Sequence, residues 1–461
     1  MTKTTALDIV AAHVAETRYS DLSPLTITRA RQVVLDFIGT MLGGYQTPLG
    51  KLAADYAAQL QPGSQATIVG DSRRSTVEGA AFANATMGKF LGMDDSHRTA
   101  GHVASQLVPV ALALGESLRL TGEQVITALA VGYDVMHMID QEVDKWQRER
   151  GLDHKGQQGS LAAAITAAKA MNLPQDKIAH ALALAMDMAC GTEQYVWDAG
   201  ACDTKDLLAG YGARNGINAA IMAEFGFRGP PGALDGPYGY FHAFGPGYNP
   251  ACLDSLRNQA LANTGFKPHA GCRHVHSCVD ATQALLAEHE FDLAAVQSIE
   301  VDSYLEAITP DFRVNYAPQT VGQAGFSLPV TASIVLTRGS WFREDIDAYD
   351  TPAARQLRKL VKVGLDAAIQ AEHPLKNGCE VRVRLQDGLQ LTGRVEHAKG
   401  EPENMLSDAE FEAKFRYLVG ELLPEAQMSA ILDSCARLEQ LDDVGALAQL
   451  TVPHQQLAHA S

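Results

Sequence analysis

Positive charge and long apolar runs are both scarce in this sequence. Its 461 residues contain 37 Lys and Arg against 54 Asp and Glu, which gives a formal net charge of -17 at pH 7. An acidic surface repels phosphate backbones and anionic membranes, so nonspecific nucleic-acid binding and membrane attachment are poor hypotheses. The chain has no run of 18 apolar residues, and charged side chains interrupt the N-terminal segment where a signal peptide requires an apolar stretch. We therefore expect a cytoplasmic protein.

Cysteine pairs and the common cofactor signatures are also missing. The seven cysteines are scattered and form no CxxC pair, which argues against a disulfide framework. The sequence contains no Walker A loop, HExxH, GxSxG or iron–sulfur cysteine set. Its glycine-rich stretch GYGARNG, residues 210–216, has the spacing GxGxxxG inside a helical pattern, which is typical of close helix packing.

The first half of the chain consists of Ala- and Leu-rich segments with helical periodicity, from residue 5 to about 265. The segment 23–44 begins with Ser-Pro, repeats apolar residues at helical spacing and ends in Gly-Gly, so it predicts a helix that stops at the glycine pair. The many small residues on successive helices favour a bundle in which helices approach closely.

The pattern changes near residue 266. Segments 296–307, 379–388 and 390–398 alternate apolar and polar residues, as half-buried strands do, and Asp387-Gly388 predicts a hairpin turn. Between them, the segments 327–341 and 351–367 predict helices. Helical periodicity returns towards the end of the chain. The fold class we predict is mainly α, with a large helical domain built from residues 1–266 and 399–461 and a smaller inserted α+β domain of residues 267–398.

The first motif that could carry chemistry is GMDDSHRTAGH, residues 92–102. It places two adjacent carboxylates beside imidazoles, the groups that general acid and base catalysis uses. Its polar side chains are those of Asp94, Asp95, His97, Arg98 and His102. The alternative is an ordinary interhelical loop in which Asp95 or Ser96 caps the next helix.

Two further motifs place basic residues at the start of a predicted helix. In GLDHKGQQGS, residues 151–160, His154 and Lys155 precede a helix whose free N–H groups could help to bind an anion. In CDTKDLLAG, residues 202–210, Lys205 would be buried among small residues, which disfavours the charged form of a lysine. The alternatives are a common helix-leading loop and a surface lysine whose stem packs on apolar neighbours.

The fourth motif, FKPHAGCRHVHSCVDA at residues 266–281, concentrates basic and thiol side chains at the predicted domain junction. If the segment were extended, four side chains on one face would resemble a zinc ligand set: Cys272, His274, His276 and Cys278. Ligands two residues apart on one strand do not easily close a tetrahedron. We therefore favour a cluster that faces an anionic substrate and keep a structural zinc protein as the alternative of another class.

Together the motifs resemble the MmgE/PrpD family in order and spacing, over essentially the whole chain. The sequences that carry the resemblance are MDDSHRTAGH, GLDHKGQQGSLAAAITAAK, DTKDLLAGYGARNGINAAIMAEFGFRGPP, FKPHAGCRHVHSCVDA, AGFSLPV and KGEPENMLSDAEFEAKF. The resemblance implies a helical domain formed by both chain ends, an inserted lid domain, and a homodimer. It also implies an active site between the domains that needs no metal or organic cofactor.

The resemblance further implies site residues. The catalytic set carried over from the family motifs is Asp94, His102, His154, Lys205 and His276. The residues expected to bind the substrate are Ser96, Arg98, Lys267, Arg273 and His274. His154 matches only if one residue is deleted. Three positions depart from the common pattern: Gly92 stands where many members have aspartate, Val103 follows His102 in place of proline, and Val330 replaces a tyrosine.

The function implied is a lyase that acts on a small di- or tricarboxylate. Basic side chains would hold the carboxylates and offset the charge that builds up when a proton next to a carboxyl group is removed, with histidines as base and acid. Family members dehydrate 2-methylcitrate, decarboxylate cis-aconitate or epimerise iminodisuccinate. We expect dehydration before decarboxylation, with an epimerase as the next alternative. We also expect a basic pocket in this acidic chain, since Arg98, Lys155, Lys205, Lys267 and Arg273 lie in or beside the motifs.

Overall fold

The computed structural model describes residues 4–198, 202–309 and 311–453, and it is mainly helical. The helices before the fourth motif are α1 Ala6–Glu16, α2 Pro24–Tyr45, α3 Pro48–Leu60, α4 Val77–Phe90, α5 Ala104–Leu118, α6 Gly122–Arg148, α7 Gln158–Ala170, α8 Gln175–Met188, α9 Gln194–Trp197, α10 Thr204–Phe225 and α11 Tyr240–Ala243. Among the described residues, no helix is both long enough and apolar enough to cross a bilayer.

The remaining elements are shorter. The later helices are α12 His276–Glu288, α13 Leu305–Ile308, α14 Val321–Ala324, α15 Leu328–Arg338, α16 Arg343–Asp347, α17 Pro352–Arg358, α18 Ala367–Glu372, α19 Asp408–Val419, α20 Glu425–Ala436 and α21 Gly445–Leu450. The strands are β1 Pro62–Thr67, β2 Arg74–Ser75, β3 Asp95–His97, β4 Thr264–Phe266, β5 Val296–Ser303, β6 Val361–Leu365, β7 Cys379–Leu385 and β8 Gln390–Val395.

Local sequence signals explain where α2 begins and why it packs closely. The Ser23 hydroxyl accepts the N–H of Thr26 at 3.1 Å, with Pro24 in the first turn. The glycine pair expected to stop α2 lies just inside its end, which is at Tyr45. A Cβ at Gly44 would lie 1.9 Å from the carbonyl oxygen of Met87, so this glycine lets α2 approach α4. A Cβ at Gly216, in the stretch 210–216, would lie 2.4 Å from the Cβ of Ala163, so the packing role predicted for it is confirmed.

The strands form one four-stranded sheet and two small ribbons. The sheet order is β6-β5-β7-β8, and β7 and β8 form the hairpin predicted at Asp387-Gly388, with Gly388 at φ +89. The helix predicted over 351–367 is partly wrong. It ends at Arg358, and Val361–Leu365 is an edge strand parallel to β5. The alternation of Val361 and Val363 with polar or small residues suits a half-buried strand, and pairing with the distant β5 outweighs local helix propensity.

Two large buried hydrophobic clusters, besides a small one of Ala164, Ala185 and Ala219, contain most of the buried apolar side chains of the described residues. One contains residues from 6–266 and 406–447, and the other contains mainly residues from 270–391, together with Met93 and Leu418. The returning helix α19 packs on α2, where the Lys414 ammonium pairs with the buried carboxylate of Asp36. The ribbon of β3 and β4 joins the first motif to the start of the fourth motif. The division into a helical domain and a lid domain stays a prediction, for which these two clusters are the physical basis.

Candidate active site

A cavity of about 140 Å³ is lined by residues that lie between positions 89 and 205 and between positions 267 and 346 of the chain. Nine basic side chains line it, whereas Glu193 is the one acidic side chain among the described residues of its wall. The basic side chains are those of Lys89, Arg98, Arg148, Lys155, Lys205, Lys267, Arg273, Arg313 and Arg343. All five cations that the sequence placed in or beside its motifs belong to this set. The basic pocket predicted within an acidic chain is therefore present.

Asp94 organises one wall of the cavity from behind. Its side chain is fully buried, and its carboxylate contacts the Lys267 ammonium at 2.8 Å and the Lys89 ammonium at 2.9 Å. The Nδ1 atom of His102 lies 3.3 Å from the same carboxylate. Although burial opposes ionisation, Lys267, Lys89 and His102 hold the pKa of Asp94 well below its usual range. Asp94 is thus a buried anion that positions two ammonium groups.

Lys89, near the end of α4, is the most strongly perturbed lysine of the wall. Its side chain is 2 % exposed. Burial lowers the pKa of Lys89 to about 7, because the attraction of Asp94 only partly offsets the loss of water and the repulsion of Lys267 and Lys205. Burial lowers the pKa of Lys267 as well. The pKa of both lysines is thus lower than that of a surface lysine, so they lose their protons at a lower pH.

His102 is held as a neutral ring with a defined tautomer. Its Nδ1 atom lies 2.8 Å from the backbone carbonyl oxygen of Asp95, and a carbonyl can only accept, so Nδ1 carries the proton and Nε2 carries the lone pair. Burial, followed by the charges of Lys267 and Lys89, lowers the pKa of His102 well below its usual range. Because the ring lines the cavity, His102 is suited to accept a proton there.

Asp95 faces away from the cavity wall. Its carboxyl oxygens accept hydrogen bonds from the N–H of Ala104 at 3.0 Å and from the Tyr133 hydroxyl at 2.8 Å. The N–H of Ala104 belongs to the first residue of α5, so the helix-capping alternative for Asp95 is the one that the structure shows. Burial, followed by the charge of Asp94, raises the pKa of Asp95 to about 8.

The second motif forms the neighbouring wall. Asp153 is buried and accepts hydrogen bonds from the Lys155 ammonium at 2.5 Å and the Tyr195 hydroxyl at 2.8 Å. The His154 ring lies 5.8 Å from that of His102, and its buried Nε2 atom has no hydrogen-bond partner among the described residues. Burial, followed by the charge of Lys155, lowers the pKa of His154 to about 3. Two neutral imidazoles thus stand side by side at the cavity.

The other predicted residues that reach the cavity differ in how they are held. Arg98 binds both carboxylate oxygens of Glu403, at 2.8 and 2.6 Å. Arg273 donates to the backbone carbonyl of His97 at 3.1 Å, and Nδ1 of His274 lies 2.8 Å from the hydroxyl of Tyr304. Lys205, in the first turn of α10, has a side chain that is 28 % exposed, which fits the alternative of a lysine at the surface better than a buried one. The buried lysines of the wall are Lys89, Lys155 and Lys267.

Three predicted residues do not line the cavity, namely Asp94, which lies behind its wall, Ser96 and His276. Ser96 and His276 line a separate void of about 10 Å³, together with Lys267 and Arg273, which line both spaces. The His276 ring packs edge-on against His269, with ring centroids 5.4 Å apart. In this arrangement His276 contacts the site from behind, so a direct role for it stays a prediction.

The extended conformation considered for the fourth motif is wrong. Residues Arg273–Val275 form a turn of 3-10 helix, and α12 begins at His276, so the four potential zinc ligands do not share a face. Cys278 instead neighbours Cys379 in the second hydrophobic cluster. Among the described residues, one group of three metal-ligating side chains converges, namely Asp153, His154 and Glu193, and the Lys155 ammonium already occupies Asp153.

Sequence reasoning missed several side chains of the wall, which are those of Lys89, Arg148, Tyr195, Arg313 and Arg343. One signal was available for Lys89, the single charged residue after Glu78 in the otherwise small and apolar segment that forms α4. A lone lysine on a helix that is buried on most sides indicates a specific partner. The arginines carry no comparable local signal, because they stand in mixed polar segments.

Comparisons with known proteins agree with these motifs. The model of the MmgE/PrpD N-terminal domain matches residues 8–253, and that of the MmgE/PrpD C-terminal domain matches residues 269–438. A cis-aconitate decarboxylase from Homo sapiens is 27 % identical over 456 residues, which cover 93 % of this chain and 91 % of that protein. The cis-aconitate decarboxylase of Mus musculus is 27 % identical, with 92 % and 88 % covered. One from Aspergillus terreus is 23 % identical, with 93 % and 92 % covered.

Proposed function

This chain belongs to the MmgE/PrpD family, and on that premise we propose that it is a cofactor-independent lyase that acts on a small di- or tricarboxylate. Decarboxylation of a cis-aconitate-like tricarboxylate is the reaction we favour. The observation that carries the proposal is the cavity itself, where nine basic side chains face one acidic one in a chain of net charge -17. The names of the relatives, all of them cis-aconitate decarboxylases or similar proteins, support decarboxylation over the dehydration expected first.

Binding follows from charge. Carboxylates form charge-assisted hydrogen bonds with lysine and arginine that are stronger than neutral ones, and arginine can hold both oxygens. Lys205 and Arg273 both line the cavity, one from α10 and one from the segment before α12. A substrate with carboxylates at both ends would bridge them. The same cations stabilise charge that develops on the substrate during reaction.

Decarboxylation requires a sink for an electron pair and a proton donor. The bond between carbon and the departing carboxyl group breaks, CO2 leaves, and the electron pair remains on a carbon next to the double bond. The pair is delocalised towards a remaining carboxylate, which the cations stabilise, and a proton is then added to carbon. An anionic substrate in this cavity raises the pKa of nearby imidazoles, so His102 and His154 can acquire and deliver a proton in the complex. Dehydration and epimerisation would begin instead with proton removal by such a base.

The test is proton NMR in D2O with cis-aconitate, 2-methylcitrate and an iminodisuccinate-type substrate. We expect loss of CO2 and deuterium incorporation with cis-aconitate. Formation of an olefin from 2-methylcitrate identifies a dehydratase, and deuterium gain without net loss identifies an epimerase. No change in any substrate would contradict the lyase proposal.

Variants connect the activity to this cavity. Lys205→Ala and His102→Gln should lower turnover by at least about 100-fold while helical content is unchanged, because each removes a charge or a proton carrier from the wall. His276→Ala tests whether the residue behind the wall is needed. Lys362→Ala is the matched control, since Lys362 is exposed on β6, and it should turn over normally. Normal turnover in both cavity variants would refute the site assignment.

Three further expectations stay predictions. A homodimer is implied by the family, and light scattering of the purified protein measures it. A cytoplasmic location is tested by cell fractionation. The structural zinc alternative predicts stoichiometric zinc, whereas the lyase proposal predicts full activity in a chelator.

A further inference from the structure

Lys89 has no assigned role, yet with Lys267 it is one of the two most deeply buried lysines on the cavity wall, each 2 % exposed. It lies in the last turn of α4, and its Nζ atom contacts both oxygens of Asp94, at 3.1 and 2.9 Å. Unlike Arg98, it is not tied to a surface carboxylate. The Lys89 side chain is 2 % exposed and lines the cavity.

The charges around Asp94 do not balance. Two buried ammonium groups, those of Lys89 and Lys267, share one carboxylate, and the third neighbour, His102, is neutral. Among the described residues, no other acceptor lies within hydrogen-bond distance of either ammonium. An unpaired buried charge costs several kcal/mol unless it is neutralised. The cluster is therefore short of one negative charge.

The buried ion pair of Lys414 and Asp36 is an example in the same protein of one ammonium group matched by one carboxylate. Lys414, which is also buried, has the carboxylate of Asp36 and the backbone carbonyl of Met93 to itself. That ammonium does not line the cavity. Lys155, which does line the cavity, likewise has the carboxylate of Asp153, so the deficit is specific to Lys89 and Lys267.

The wall beside Lys89 is bare backbone. Gly92 and Gly271 both line the cavity, and a Cβ at Gly92 would lie 3.1 Å from the N atom of Gly271. Gly92 has φ +64, a conformation that favours glycine. Because no side chain projects from either position, an anion in the cavity can approach this wall.

We propose that Lys89 binds one carboxylate group of the substrate, and that this carboxylate supplies the negative charge missing from the Lys89, Asp94 and Lys267 cluster. The inference rests on the proposed function for the class of substrate and adds the residue that selects for the extra carboxylate. A tricarboxylate then binds more tightly than an analogue that lacks the group held by Lys89.

Calorimetry with unreactive ligands tests the selection. Tricarballylate is the probe, and glutarate and methylsuccinate are the same skeleton without the central or one terminal carboxylate. Lys89→Met should weaken tricarballylate binding by about 10- to 100-fold and leave one of the two dicarboxylates within about 2-fold. Lys414→Met, the matched control, should bind all three as the wild type does. An equal loss for all three ligands in Lys89→Met, or no loss, would overturn the inference.

Proton uptake on binding gives a second test of the inference. The titratable and charged groups that face Lys89 from the elements around it are Asp94, Asp95, His102, His154, Lys267, Lys205 and Lys155. The pKa of Lys89 is about 7, so an arriving carboxylate draws a proton onto it, whereas uptake by Asp95 and the imidazoles remains in Lys89→Met. Uptake per bound tricarballylate is measured for both proteins in buffers of different ionisation enthalpy, and the wild type should exceed Lys89→Met by about 0.1 proton at pH 6 and about 0.9 at pH 8. A difference between the two proteins that does not rise with pH would overturn the inference.

The two proposals fail separately. If no carboxylate is turned over but tricarballylate binding depends on Lys89, the lyase proposal fails and this inference stands. If cis-aconitate is decarboxylated and Lys89→Gln, which keeps a polar contact with Asp94, binds and reacts as the wild type does, this inference fails and the lyase proposal stands.

Discussion

Replacing Asp94 by asparagine should destabilise the protein far more than a surface substitution of the same kind. The change removes the one carboxylate that two buried ammonium groups share, at 2.8 and 2.9 Å, and leaves the shape of the side chain almost unchanged. Removing one partner of a buried ion pair costs about 3–5 kcal/mol, because the other charge is left unpaired.

A lysine that has lost its carboxylate partner can release its proton, and the free energy of that deprotonation sets an upper limit on the destabilisation. Lys267 can give up its proton, and deprotonating a lysine of ordinary pKa 10.5 at pH 7 costs about 5 kcal/mol. Lys89 adds little to the cost, since burial has already lowered its pKa to about 7. We therefore expect a loss of about 3–5 kcal/mol in the free energy of unfolding at pH 7.

Urea unfolding followed by far-ultraviolet circular dichroism measures the loss. Asp350→Asn is the matched control, because Asp350 pairs with Arg355 at 3.0 Å while 58 % exposed, and such a pair contributes less than about 1 kcal/mol. Adding Lys89→Met to Asp94→Asn should recover part of the loss, because one stranded cation is removed. A loss in Asp94→Asn no larger than that in Asp350→Asn would refute the charge argument for the whole cluster.

Three further predictions concern the same wall. The folded state releases the Lys89 proton near pH 7 and the unfolded state only near 10.5, so the contribution of Lys89 to stability should rise with pH between these values. From pH 7 to 9 the free energy of unfolding of the wild type should therefore change by about 2–3 kcal/mol more in the stabilising direction than that of Lys89→Met, and equal slopes in urea titrations of both proteins would contradict this. Gly92→Ala should cost about 1–3 kcal/mol, because φ is +64 and the new Cβ meets Gly271, and an unchanged thermal midpoint would show that the backbone relaxes freely. Arg98→Ala should change stability by less than about 1 kcal/mol, because its partner Glu403 is 41 % exposed, and a larger loss on denaturation would mean that the pair holds the two sides of the cavity together.

Strands with a two-residue alternation were predictable from the sequence, and those set by distant partners were not. The strands β5, β7 and β8 lie within the segments predicted for them, and the turn at Asp387-Gly388 lies between the last two. The edge strand β6 was predicted as helix, because its register with β5, which pairs Ile299 with Val361, is a non-local contact. Residues 272–278 were considered as an extended ligand face, yet Arg273–Val275 form a turn of 3-10 helix and the helix that begins at His276 packs against β7 and β8.

The candidate site also contains residues that the sequence named and features that it could not predict. The first, second and fourth motifs named His102, His154, Lys267 and Arg273, because clusters of imidazoles and cations near helix starts are visible along the chain. The sequence left open whether Lys205 is buried, and at a helix start beside the cavity it stays partly exposed, whereas Lys89 is buried because α4 is enclosed on most sides. Neither the exposure of Lys205 nor the burial of Lys89 can be predicted from composition, because burial depends on which elements surround a residue.

The sequence by itself determined the mainly helical character, the order of the family motifs and the presence of many cations near them, because these depend on periodicity and residue type. Only the tertiary structure decided that Lys89 and Lys267 meet on the carboxylate of Asp94, that His102 presents its Nε2 lone pair, and that Asp95 caps α5. The physical reason is that the charge state and the hydrogen-bonding role of a side chain depend on its loss of water and on its neighbours in space. Both are fixed only when segments distant along the chain pack together.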